Sequence, residues 1–343
     1  MNVYASYNAI NSKIHTRKKT LLKRDDWNKV LDYTTVAQFT EFLKKRYGYG
    51  VHLEHNKIED MHRGELEVML QRYVVGEIEK LLHYFSGPYK DFIKILLLQY
   101  DISDLQLILR AIARNESIND LQRHFVHSET HTHLAYDKLI GSQSVSQFVE
   151  GLKGSLFYED LKTMTQEDVV TREFHMEMKF YLLYYRELMK KAKKLSANDY
   201  SIVKQIIGLK IDCLNIQWIY RAMKYYDISK EEIMVYSLPG GNVSYNSLKK
   251  LVYAKSLGEF ETLAEKHLKD NVFDQRGDML LERNMDTVLY QIIHKVNDEN
   301  SIALALRYIF VLEIETQDLI AVTEGIRYGL DKEEIKKYLV YTL

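Results

Sequence analysis

The sequence predicts an all-α protein made of three similar helical bundles, and three observations carry that expectation. Helix-breaking residues are sparse, one helical motif recurs at an interval of about 110 residues, and a helix-start signature recurs in step with it.

Only 2 prolines, Pro88 and Pro239, and 15 glycines punctuate the 343 residues, while Leu, Lys, Glu, Ile and Tyr abound. That balance favours long helices and short loops. At this length a single core usually stops growing, so two or three packed units are expected.

The recurring motif is a run of apolar residues followed by an acidic residue and, three positions on, a second carboxylate or amide. Its copies hold Asp101 and Asp104 before Leu105, Asp212 and Asn215 before Ile216, and Glu315 and Asp318 before Leu319. Positions i, i+3, i+4 and i+7 from those apolar residues are almost all apolar, so each copy is a helix burying one stripe. A fainter echo runs from Asn8 through Asn11 and Ile14 to Arg17. Carboxylates and amides at such places suit a helix start, where they cap and complement the macrodipole.

The second signature reads Thr35-Val36-Ala37-Gln38-Phe39, Ser144-Val145-Ser146-Gln147-Phe148 and Ser256-Leu257-Gly258-Glu259-Phe260. Each is a capping box: the hydroxyl accepts from the N3 amide, the N3 side chain reaches back to the N-cap amide, and the phenylalanine at N4 turns inward. The two signatures together divide the chain into repeat units at residues 1–95, 96–205 and 206–343.

Several functional classes lack their signals. The formal net charge is −1, from 47 basic and 48 acidic residues, so attraction to nucleic acid or to an anionic membrane would need a local patch. The run from Lys13 to Arg24 holds Lys18, Lys19 and Lys23 but no interleaved stacking aromatics, and reads as a solvated or partner-facing helix end. Cys213 is the only cysteine, which excludes internal disulfides and fits a reducing compartment. Apolar runs such as Ile302 to Leu312 are interrupted by charge and too short to span a bilayer, and the N-terminus has no signal-peptide core. Neither a phosphate-binding G-x-x-x-x-G-K-[ST] loop nor a G-x-S-x-G elbow occurs, and Gly240-Gly241 after Pro239 signals a turn.

His124, His127, His131 and His133, with Glu129 among them, supply ligand types for zinc, but the spacing is poor for a four-ligand site. The acidic pairs Asp101/Asp104 and Glu59/Asp60 do not form the facing aspartate-rich helices that hold magnesium and a diphosphate. We therefore expect no catalytic, cofactor-binding or metal-binding residues. Tyrosine is frequent, 26 residues with pairs at Tyr184-Tyr185 and Tyr225-Tyr226, which favours half-buried helical packing and protein interfaces over catalysis.

The opening Tyr7-Asn8-Ala9, then Ile14, Arg17, Lys18 and Leu21-Leu22, together with the helices from Asp101 to Ala111 and Asp212 to Ala222 that end in Arg-Ala, resembles the C subunit (also named the d subunit) of V-type and archaeal-type rotary ATPases. The third copy departs, with Glu324-Gly325 in place of Arg-Ala. The resemblance implies a pseudo-threefold funnel of three helical domains on the cytoplasmic face of the membrane. It implies as partners the proteolipid ring, the central-stalk subunits and the stator membrane subunit, with no nucleic acid and no membrane insertion. It also implies a non-catalytic role, coupling the stalk to the ring for proton or sodium transport or for ATP synthesis. The competing readings are a generic cytoplasmic helical scaffold and, more remotely, an all-helical metal-dependent enzyme.

Overall fold

Helices make up 72 % of the described residues in the computed structural model, and no strand occurs among them; they are 3–46, 48–53, 63–116, 120–170, 173–226, 228–273, 279–296 and 298–341. The N-terminal part folds as α1 (Val3–Arg17), α2 (Arg24–Val30), α3 (Val36–Lys44) and α4 (Tyr49–Leu53). There follow α5 (Arg63–Leu82), α6 (Gly87–Ile95), α7 (Leu98–Ala113), a 3₁₀ turn at Leu121–His124, α8 (Tyr136–Ile140) and α9 (Val145–Gly151). Two short helices, α10 (Tyr158–Leu161) and α11 (Gln166–Val170), lead to α12 (Glu173–Ala192), α13 (Ala197–Tyr225), α14 (Lys230–Val235), α15 (Tyr245–Val252) and α16 (Leu257–Leu268). The chain ends with α17 (Leu281–Lys295), α18 (Ala303–Arg327) and α19 (Lys332–Lys336).

The two prolines sit where helices tolerate them. Pro88 lies in the first turn of α6, where its missing N–H is no loss, and Pro239 lies in the turn between α14 and α15. The long helices then close a circuit: α5 packs on α6, α6 and α7 on α12, α12 on α13, α13 on α17, α17 on α18, and α18 returns to α5. Leu105, Ile216 and Leu319 are all buried in it. The α1 helix, which carries the echo of the motif, packs on α18 and buries Tyr7, Ile10 and Ile14.

The repeated acidic positions do something other than cap. Asp101 is in the first turn of α7, but Asp212 and Glu315 lie in the middle of α13 and α18, so the helix-start explanation fails for two copies of three. Each pair instead holds loops from within the core. Asp104 accepts from the Val126 amide at 3.0 Å and the His127 amide at 2.9 Å; Asn215 accepts from the Leu238 amide at 2.7 Å and donates to its carbonyl at 2.9 Å. Asp318 accepts from the Val340 and Tyr341 amides, both at 2.9 Å. The partner segment begins 22 or 23 residues downstream in every copy.

The earlier position holds the next stretch of loop. Asp101 accepts from Thr132 Oγ1 at 2.7 Å and Tyr136 Oη at 2.9 Å, and Asp212 from the amides of Asn242 at 2.9 Å and Val243 at 3.1 Å. Gly240 and Gly241 serve this contact: the turn needs φ +96° at Gly240, and a Cβ on Gly241 would stand 2.0 Å from Asp212 Oδ1. Glu315 takes the amide of Leu22 at 2.8 Å and Tyr49 Oη at 2.5 Å, so its loop comes from the other end of the chain.

After each held loop comes a short helix and then the capping-box helix: α8 and α9, α15 and α16, α2 and α3. The last member packs on the long helix of its copy, α9 on α7, α16 on α13 and α3 on α18. The hydroxyls accept as expected, from Gln38 N at 3.3 Å, Gln147 N at 3.2 Å and Glu259 N at 3.2 Å. The reciprocal bond goes one residue further back than the capping-box pattern puts it, to the amides of Thr34, Gln143 and Lys255. The cap residues are extended, which carries the preceding amide into reach of the N3 side chain. Phe39, Phe148 and Phe260 are fully buried.

Candidate functional site: a central polar cavity

Inside the helix circuit lies a cavity of about 350 Å³, lined by α5, α7, α12, α13, α17 and α18. The three repeated helices present one common position to it, two residues before the first holding carboxylate: Gln99, Lys210 and Glu313. These three side chains meet. Gln99 Nε2 donates to Glu313 Oε1 at 2.6 Å, and Lys210 Nζ lies 3.5 Å from Glu313 Oε2. The Lys210 ammonium also sits 4.9 Å from the centre of the Phe310 ring.

Burial pulls the Lys210 ammonium down, but Glu313, Tyr184 and Asp286 outweigh it and hold the group above its ordinary value. Asp286, on α17, has its carboxyl pushed up to about 7, chiefly by burial and only partly offset by Lys210. Tyr184 and Tyr185, in edge contact at 4.9 Å, form part of the wall, and burial raises both phenols. Cys213 also lines the wall, and burial pushes its thiol far up, so it carries no thiolate character at neutral pH. Glu282, also in the lining, pairs with Arg221 at 3.8 Å, and both side chains are exposed.

The histidines singled out in the sequence do not converge. His127 Nδ1 lies 2.8 Å from Asp104 Oδ2, with its ring stacked 3.9 Å from that of Tyr136. His133 contacts Lys94 at 3.0 Å and His124 contacts Arg123 at 3.2 Å, so each serves a local purpose. Among the described residues no group of three or more His, Cys, Asp or Glu side chains is placed to hold a metal ion. The Glu59-Asp60 step lies outside the described residues. In the basic N-terminal stretch, Arg17 reaches inward to Glu77 at 2.5 Å, and Lys80 and Tyr308 bind the same carboxylate. No helix among the described residues is long and apolar enough to cross a membrane.

Neither the apolar register nor the pair at Asp101 and Asp104 reveals that Gln99, Lys210 and Glu313 meet. A signal is nevertheless present: three polar residues of different charge occupy one register inside otherwise apolar stretches.

Fold and site together define an all-α protein closed around a polar, tyrosine-walled cavity. The chain belongs to the ATP synthase (C/AC39) subunit family, whose match covers residues 10–338. It is similar to the C subunit of the A-type ATP synthase of Thermococcus onnurineus, 24% identical over 340 residues, 97% of this chain and 90% of that protein. The C subunit of the Archaeoglobus fulgidus A-type ATP synthase is 25% identical over 351 residues, 98% of this chain and 96% of the relative. That of Pyrococcus horikoshii is 23% identical, covering 98% and 90%. The kinship with the C subunits of rotary ATPases read from the Arg-Ala helices and the N-terminal stretch is therefore correct, and the protein is a subunit of that type of assembly.

Proposed function

We propose that this protein is the non-catalytic coupling subunit between the rotating central stalk and the membrane proteolipid ring. The observation that carries the reading is the cavity, to which three repeated helices offer one register and which a closed circuit of helices surrounds. An ion crossing about 200 mV exchanges roughly 4.6 kcal/mol, so a coupler must resist bending under loads of that order. A ring in which every long helix is braced by two neighbours supports that task.

In this reading the three copies form a pseudo-threefold funnel at the cytoplasmic face, whose cavity receives the end of the stalk. The outer surfaces meet the ring and the stator membrane subunit. Nucleotide chemistry belongs to other subunits, and the transported ion is a proton or sodium. The expected boundary at 205/206 falls inside the continuous helix α13. We place the units instead around the hairpins α5–α7, α12–α13 and α17–α18, the third completed by residues 22–44.

The test compares ATP-driven ion transport with ATP hydrolysis in membranes that contain or lack the protein. Loss of transport with hydrolysis retained by the detached head supports coupling. Unchanged transport per ATP in its absence overturns it.

A further inference from the structure

We infer that α15 and the loop edges beside it form a surface that rests on an anionic lipid bilayer. The repeat supplies the comparison. Helices α2, α8 and α15 occupy corresponding places, each between a held loop and a capping-box helix. The exposed residues of α2 are Arg24, Asp25, Asn28 and Lys29, and those of α8 are Asp137 and Lys138, an ordinary mixture of signs. In α15 the outward residues are Tyr245, Asn246, Lys249 and Lys250, with Tyr253 following, and no acid among them. Tyr245, Lys249 and Tyr253 are spaced four apart, which places them in one stripe, while Leu248, Leu251 and Val252 face the core.

The neighbourhood extends the pattern. Lys230 of α14 reaches over the Tyr253 ring at 5.4 Å and Lys249 over the same ring at 5.6 Å, and exposed Lys255 follows two residues on. Lys249, Lys250 and Lys255 make no ion pair among the described residues. The acids nearby are fewer than the lysines: exposed Glu231 accepts from Tyr253 Oη at 2.7 Å and stays ionised, exposed Glu259 takes the Lys255 amide at 2.7 Å, and Glu232 turns to the buried His175 at 3.0 Å, against Lys230, Lys249, Lys250 and Lys255. Tyr245 and Val235 are each 69% exposed, more than core packing requires of such side chains.

Unpaired lysines beside exposed tyrosines match the chemistry of a membrane interface, where phosphates meet the cations and amphipathic rings lie at headgroup level. An acidic protein surface would satisfy the lysines but gives less reason for exposed tyrosines in the same stripe. Each lysine near an anionic surface strengthens binding roughly fivefold, so this contact is a weak tether, not an anchor. It involves no spanning helix and does not depend on the coupling role.

The test is flotation of the full-length protein with vesicles of phosphatidylcholine alone or mixed equally with phosphatidylglycerol. We expect binding to the mixed vesicles, lost in high salt and weakened about 25-fold or more in Lys249→Glu/Lys250→Glu. The corresponding change on α2, Arg24→Gln/Lys29→Gln, should have little effect. Should the charge reversal disturb folding, as read by circular dichroism, Lys249→Gln/Lys250→Gln gives the same comparison. Equal binding to neutral vesicles, binding unaffected by the α15 variants, or binding of a poly-glutamate peptide without vesicle flotation would each overturn the proposal.

Discussion

The second and third copies of the repeat solve one packing problem with different pieces of chain. In the second copy, Asn215 and Asp212 of α13 hold Leu238 and Asn242–Val243, segments 23 to 31 residues downstream. In the third, Asp318 holds Val340 and Tyr341, and Glu315 takes Leu22 from 293 residues away. The two ends are locked together there: Trp27 stacks on Tyr341 at 5.3 Å and Lys332 pairs with Asp32 at 2.6 Å. The lesson is that the unit of structure is a spatial arrangement around a long helix. It need not be a continuous segment.

The most severe break in this symmetry would come from unseating the capping-box helix in each copy. Phe39 and Phe260 are equivalent and fully buried, and truncation to alanine should cost about 3–5 kcal/mol in either case. The consequences should differ in place. Phe39→Ala should loosen the amides of Val340 and Tyr341 in hydrogen exchange, because both chain ends share one core, whereas Phe260→Ala should leave them protected. Equal protection at 340–341 in both variants would mean that the N-terminal segment is not part of the third copy.

Removing the holding carboxylates is expected to have the next largest effect. Glu315→Ala leaves the buried Leu22 amide and Tyr49 hydroxyl without their acceptor, a loss of about 2–4 kcal/mol. Asp212→Ala strands the amides of Asn242 and Val243, which lie nearer to water, so about 1–2 kcal/mol is expected. Denaturant midpoints of the two variants measure the difference, and a larger loss for Asp212→Ala contradicts it.

Acidity separates the copies further. Burial raises Glu315 and Asp318 to about 7, against their backbone donors, and raises Asp212 to about 6, while Asn215 does not titrate. A carboxyl whose pKa is higher folded than unfolded keeps its proton better in the native state. Stability from it is therefore full below the unfolded value and falls as pH rises toward the folded one. The third copy should lose on the order of 2–3 kcal/mol per group between pH 4.5 and 7, and the second copy less, with its loss ending near pH 6. Melting temperature should thus fall from pH 5 to 7.5, and Glu315→Gln should flatten the fall more than Asp212→Asn. A melting temperature that rises over this range in the wild type argues against the buried, proton-retaining state.

Much of this plan is legible in the sequence, and the unread part has a physical reason. Periodic apolar residues and capping boxes report local energetics, so α3, α9 and α16 and the helices around Leu105, Ile216 and Leu319 can be read directly. The boundary at 205/206 cannot, since a motif that begins in mid-helix carries no mark of where α13 starts. The role of Asp212 and Glu315 is hidden for a related reason: a carboxylate that caps a helix and one that holds a remote loop look alike until the loop is in place. Gln99, Lys210 and Glu313 carry unlike side chains, and only tertiary contact shows that they meet.

The smallest expected effect tests whether the copies are equivalent where the sequence says they are. Thr35, Ser144 and Ser256 each accept one N3 amide, and each N3 side chain satisfies one further amide before the helix. Both groups are near solvent, so water replaces much of what a substitution removes. Alanine at any of the three caps should cost about 1 kcal/mol, and Gln38→Ala or Gln147→Ala less than that. The helices differ in length, at 9, 7 and 12 residues, but the loss is set at the first turn and should not scale with length. Chain continuity should show only in how far the fraying spreads. A frayed α16 stays tied at both ends within its own copy, whereas a frayed α3 weakens the hold of the N-terminal segment on α18. Thr35→Ala should therefore raise exchange at Leu22 as well as at Gln38, while Ser256→Ala should raise it at Glu259 and leave Val243 unchanged. Exchange that rises at the held loop in both variants, or in neither, would show that the second and third copies respond alike despite their different chain connections.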